Sequence, residues 1–445
     1  RRRFGDLATY ENDMAYILFA TISGDVDVDN GDNGLFIWGD MDTSGSNGNI
    51  TVDIGTGALV LVNAIWDTDI TAGEGDVTLT CDTIAIQAGC SITTSGSIII
   101  KPTTTSQTVG IAGGSGTLNI YGGRDRVSQL WRLTIGASGN TGAVDINDVT
   151  FTGDVAIYGG AITTDSITNA GSITLESKSG NLTVNGSETL TASGSENIIL
   201  NTVTSGNIVL TGAVTADGDQ VTMTSAGNIN GAGLVTAATV DLNAATGIGD
   251  STQLELAATA ITADCSTSGN IDIDNAHASA AVVSTLTTLS GGNIVFDNSG
   301  GGAVTFTTVS TGADGDPAEG EADITLTNDS GNLTIGTSAT ALGLGDIIYT
   351  TTTSGNIVLT GTTTAASDEV TVTSVGTING AGLVTATTVD LNAATGIGDS
   401  TQLELAATAI TADSSTSGNV DIDNAHASAA VVSTLTTLSG GNIVF

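Results

Sequence analysis

Along most of the chain, apolar and polar residues alternate in runs of four to six positions. The runs are rich in Val, Ile, Leu and Thr and are bounded by Gly, Asn, Ser and Asp. This period of two is the signature of β-strands with one buried face, and the β-branched content agrees with it. Helical periodicity is nearly missing, and alanine-rich stretches such as Ala278–Val283 are too short to stand as helices. A glycine opens many of the runs: GNITV at Gly48, GDVTL at Gly75, GSIII at Gly96, GTLNI at Gly116, and again at Gly180, Gly206, Gly269 and Gly292. Most successive landmarks recur at a similar step, as from Gly48 to Gly75, from Gly75 to Gly96 and from Gly180 to Gly206. Short strands recurring at that step predict an all-β chain folded as a parallel β-helix, or β-solenoid, with roughly 20–25 residues per coil. At about 21 residues per coil and about 4.8 Å per step the array is expected to form a rod of roughly 100 Å.

A longer period overlies the short one. Residues 205–296 and 354–445 align without a gap at an offset of 149, with 81 of 92 positions identical. Both copies carry SGNIVLTG, INGAGLVTA and DIDNAHASAAVVSTLTTLSGGNIVF. The expected organisation is a diverged, cap-like solenoid region over 1–147, a first repeat unit over 148–296 and a second over 297–445 that stops within the array. Equivalent residues are expected to sit about seven coils apart, with Val240 and Val389, and Leu256 and Leu405, pointing inward. The array is expected to continue past Phe445, or else to dock its open end onto another subunit in a filament.

Composition narrows the function. The hydrophobic fraction is 40% and mean hydropathy is +0.25, so the chain can bury a core, whereas aromatics are only 3% and that core must be thin and aliphatic. A β-sandwich array would place an aromatic anchor in each domain, yet Trp38, Trp66 and Trp131 all lie in the first third. Net charge is −39, and all eight basic residues lie at or before Lys178, leaving 26 carboxylates and no Lys or Arg beyond it. Phosphate neutralisation needs Lys and Arg, so nucleic acid is excluded as a partner, and anionic membrane surfaces would repel the chain. The longest apolar run, Met14–Ile22, is too short to cross a bilayer, and Asp6, Glu11 and Asp13 before it are unlike a leader peptide.

The phrases SGNIVLTG, GAGLVTATTVDLNAATGIG and GGNIVFDNSGGGAV resemble the repeats of filamentous-haemagglutinin-like large exoproteins, over about Ser179 to Phe445. The resemblance implies a secreted, extracellular protein of the bacterial cell surface with a right-handed parallel β-helix. It further implies an adhesin or structural filament whose partners are cells, surfaces or matrix glycans, with end-to-end self-association and no membrane insertion.

Candidate chemistry is sparse. No catalytic residue is assigned and the chain is read as a non-enzyme. The alternatives are a polysaccharide-processing β-helix enzyme, which needs two carboxylates in a formed cleft, and a surface-layer or phage-fibre component. His277 and His426 occupy the same repeat position, beside Asp274 and Asp423, and alternation puts Asp272 and Asp274 on an outward, solvated stripe. No cofactor is required. Calcium is the one ion considered, at Asp25, Asp27 and Asp29 and in the loop carrying Asp314, Asp316 and Glu319, because hard cations favour clustered carboxylates. The first of these segments is not an EF-hand, since Phe36 stands where the bidentate Glu would be. Cys81, Cys90 and Cys265 lack zinc or haem spacing, and a Cys81–Cys90 disulfide is one option in an oxidising compartment. Threonine runs such as Thr350–Thr353 do not recur at one position per coil in the sequence, which counts against ice binding.

Overall fold

A computed structural model describes residues 2–4, 15–17, 23–63, 68–120, 132–312 and 322–445. Among these residues there is no helix, and the paired strands run parallel, stacked as a solenoid with turns of about 23 residues. The chain divides into two compact units, Arg1–Ala226 and Gly227–Phe445.

In the first unit one column of strands can be followed through successive turns. Val26, Ile50, Val77, Ile98, Leu133, Val155, Ile173, Ile198 and Val221 are register partners in turn. All nine are buried, so each turn lays an aliphatic side chain on its equivalent in the next. The glycine that precedes many of these strands has a steric cause. A Cβ on Gly48 would meet the carbonyl of Gly24, and one on Gly75 would meet that of Gly48. Gly206 adds a positive φ of 111° to the same conflict, against the carbonyl of Gly180.

The second unit repeats this logic with a change of geometry. Ile229, Ile248, Ile271, Ile294, Ile324, Ile347 and Val370 form one column. Ala281, Val304, Leu333, Ile357 and Ile378 form another. Ile378 is the repeat equivalent of Ile229, yet the column of Ile229 runs instead to Val370, six turns on and short of Ile378 along the chain. The expectation that equivalent residues stack in equivalent places seven coils apart is therefore corrected. With turns of about 23 residues, the offset between the copies spans six turns and part of a seventh, so the second copy is rotated about the solenoid axis. Burial is nonetheless preserved at the positions expected to face the core: Val240, Val389, Leu256 and Leu405 all point inward.

Polar residues enter the core here as a ladder. Asn275, Asn298 and Asn328 are buried at the ends of their strands. The Asn275 amide donates to Asn298 Oδ1 at 3.0 Å, and that of Asn298 donates to Asn328 Oδ1 at 2.8 Å. Asn275 also closes on both backbone groups of Ala258, accepting from its N–H at 3.0 Å and donating to its carbonyl at 3.2 Å. The ladder satisfies amides that would otherwise be costly to bury.

Candidate functional site

The corner that precedes each strand is where most of the candidate chemistry sits. In the first unit the residue just before the buried aliphatic is Asp25, Asn49, Asp76 and Ser97 in successive turns. Asp25 Oδ1 accepts the Asn49 N–H at 3.0 Å, Asn49 Oδ1 accepts that of Asp76 at 2.8 Å, and Asp76 Oδ1 accepts that of Ser97 at 2.8 Å. The second unit builds the same series from Asn270, Asn293, Asp323, Asp346 and Glu369. These side chains tie turn to turn, as caps on a backbone group that the corner would leave unpaired. The recurring dipeptides Gly-Asn, Gly-Asp and Gly-Ser are the visible sequence signal for this role.

The calcium candidates can be placed against that frame. Val26 and Val28 are buried, so alternation sets Asp25, Asp27 and Asp29 along the outer side of Val26–Asp29 and of the corner before it. Asp27 faces Thr51 and Asp29 faces Asp53 in the next turn, and Asp29 Oδ1 accepts the Gly31 N–H at 3.1 Å. The three carboxylates are spread along a strand rather than converging. Among the described residues no three His, Cys, Asp or Glu side chains are grouped to hold a metal ion. Asp314, Asp316 and Glu319 lie outside the described residues.

The histidines act locally. His277 Nδ1 accepts the Ser279 N–H at 3.2 Å, and His426 Nδ1 accepts the Ser428 N–H at the same distance. Asp274 is held by Ser299, through its backbone N–H at 3.2 Å and its hydroxyl at 2.8 Å. Asp272 and Asp274 lie between the buried Ile271, Ile273 and Asn275, on the outward face expected for them.

That outward face carries a carboxylate column. Glu255 is the register partner of Asp274, and Asp274 of Asp297. Three acids thus stack at the inter-turn spacing of about 4.8 Å. Burial, reinforced by Asp274 and Asp272, raises the Glu255 pKa. Burial also raises that of Asp272, with Asp297 and Asp250 adding to it, while the Gln253 amide, donating at 2.9 Å, opposes the shift. The second copy repeats the start of the column as Glu404 beside Asp423.

One open groove follows the corner of the first unit. Asp76, Ser97, Arg132, Asp154 and Glu196 contribute to its lining. Arg132 stands where other turns carry a capping Asn or Asp, and its Nε lies 3.9 Å from Asp154 Oδ2. Asp154 Oδ1 caps the Ser172 N–H at 3.1 Å, and Glu196 accepts the Ser172 hydroxyl at 2.7 Å. The groove brings carboxylates and a guanidinium to one corner. Sequence reading did not join them because Arg132, Asp154 and Glu196 lie on different turns, far apart along the chain.

Cys81, Cys90 and Cys265 are buried and form no disulfide, so the disulfide option for Cys81 and Cys90 is not realised. No helix among the described residues is long and apolar enough to cross a membrane. No family model, curated protein or solved structure matches the chain.

Proposed function

We propose that this chain is a display and adhesion segment of an extracellular bacterial surface filament, without catalytic activity. The observation that supports this reading most is the rotation of nearly identical repeat copies about the solenoid axis. Because the offset between the copies overruns six turns by part of a turn, each outward group of the first copy reappears in the second on another side. An array that presents one surface in several directions suits multivalent contact, in which weak individual contacts add through effective concentration. Rigid stacking supports this, since ordered groups lose little entropy on binding. Cells, inert surfaces and matrix glycans are the partners this reading implies, with the charge of −39 disfavouring nucleic acid and anionic lipid. The test is adhesion of beads coated with the chain to cells and to immobilised matrix glycans, with valency varied by coating density. Binding that climbs steeply with density supports the proposal, and binding to no surface at any density refutes it.

A second reading rests on the groove. The groove sets the carboxylates Asp154 and Glu196 beside Arg132, and a pair of carboxylates in a cleft is what glycoside hydrolysis requires. Incubation with pectins and glucans, followed by assay of reducing ends, decides between the two. Turnover that disappears in Glu196→Gln would establish the enzyme reading and displace the first.

A further inference from the structure

On one face of the second unit the outward residues form a rectangular net of hydroxyl groups. Thr285, Thr308, Ser338 and Thr362 are register partners through four successive turns. Two positions further along the same strands, Thr287, Ser310, Thr340 and Thr364 form a second column in the same register. Between the columns Leu286, Val309, Ala339 and Thr363 are buried, which fixes both columns outward. Thr262 extends the first column at one end, and Thr385 extends the second at the other. The sides of the net are about 4.8 Å between turns and about 6.6 Å along the strand.

The net is also free of charge. None of its eight positions carries an ionisable group, in a chain with 47 acidic residues. The column alongside, Val282, Thr305, Thr334 and Val358, is likewise uncharged. Among the described residues carboxylates stand at the margin, where Asp264 is the register partner of Thr287 and bonds to it, and Asp241 is the register partner of Thr262. The sequence concealed the net because its rungs are unevenly spaced. The step from Thr308 to Ser338 is longer than the steps from Thr285 to Thr308 and from Ser338 to Thr362. Hydroxyl residues therefore do recur once per turn on this face, which corrects the expectation drawn from the spacing of the threonine runs.

We propose that this hydroxyl net binds ice. A surface with a two-dimensional repeat is complementary to a partner that has one, and the exposed planes of an ice crystal present oxygens on a rectangular net of the same order. Each hydroxyl anchors one ordered water, and the threonine methyls between them leave neighbouring waters no alternative partner. Charged groups would instead organise water radially around themselves, which gives their exclusion from the net its meaning. The backbone ladder holds the hydroxyls in place before contact, so little ordering remains to oppose binding. Crystalline polysaccharide is the competing planar partner, but sugar faces are gripped by stacked aromatic rings, and the net consists of Thr and Ser. The inference stands on the net alone and does not depend on the chain belonging to a filament.

The experiment uses the purified, fluorescently labelled full chain and a slowly growing ice hemisphere. The wild-type chain is expected to concentrate in the ice and to shape growing crystals. Thr308→Tyr, at the centre of the net, is expected to lower the ice-bound fraction about tenfold, equivalent to ~1.4 kcal/mol. Thr371→Tyr, on a different outward column, is expected to leave it unchanged. Ser338→Lys provides a second disruption should Thr308→Tyr melt early, and melting curves establish that each variant is folded. Exclusion of the wild-type chain from ice, equal uptake of folded net variants, or binding to crystalline cellulose in place of ice would each overturn the proposal.

Discussion

A single buried amide shows how tightly each turn depends on the next. Asn298 receives a hydrogen bond from Asn275 and gives hydrogen bonds to Asn328 Oδ1 and to the Gly302 carbonyl. Asn298→Ala would leave Asn275 and Asn328 each with an unmatched polar group in the core. Each such group costs about 1–3 kcal/mol. Chemical denaturation should therefore show a clear loss of stability, whereas Asn332→Ala, at an exposed corner, should show a much smaller one. The thiols give a second test at this scale. Burial first, and then Asp82 and Asp53, push the Cys81 thiol up to about 12, and burial with Asp250 and Asp264 does the same for Cys265. Since the thiolate is the reactive form, neither should label with iodoacetamide at pH 8 until denaturant is added. Rapid labelling of the native chain would contradict their placement in the core.

Strands bring like charges into line as readily as like side chains. Glu255, Asp274 and Asp297 occupy consecutive turns because parallel register leaves them no choice. The raised pKa values of Glu255 and Asp272 mean that the folded state holds protons more firmly than the unfolded state. The resulting stability is fully present below the ordinary carboxylate pKa and is lost as pH rises through the raised folded value. Asp264 shifts in the same direction, chiefly through burial, while Asp42, bonded to Ser44, shifts in the opposite one. Melting temperature should therefore rise as pH is lowered from neutral towards the ordinary carboxylate range, the reverse of ordinary acid destabilisation. Glu255→Gln should raise the melting temperature at pH 7 and flatten the dependence. A melting temperature that falls on mild acidification would show that the column is not under electrostatic strain.

Across the whole chain the excess of acid makes stability a function of salt. With 47 carboxylates against eight basic residues, repulsion persists over the Debye length, about 8 Å at physiological ionic strength. Sodium chloride is expected to raise the melting temperature, and calcium chloride of matched ionic strength is expected to raise it equally, because the described carboxylates lie in line rather than converging. A larger rise with calcium would mean a specific site, and substituting Asp314, Asp316 and Glu319 would locate it.

The sequence alone determined the strand period, the aliphatic core and the glycine at many of the corners. Those features are local: alternation decides which side chains face inward, as at Ile271 and Ile273, and a crowded corner tolerates only glycine, as at Gly48 and Gly206. The outward placement of Asp272 and Asp274 followed for the same reason. Tertiary structure alone decided which turn lies beside which. Turn lengths vary, from a short step between Ile229 and Ile248 to a much longer one between Ile294 and Ile324, so register cannot be obtained by dividing a repeat length by a mean. That variation rotated the second copy, assembled the groove at Arg132 and Glu196, stacked Glu255 on Asp274 and brought scattered threonines into one net. All four are relations between turns, set by backbone hydrogen bonds across the ladder, and such bonds leave no periodic mark on the chain when the loops between strands differ in length.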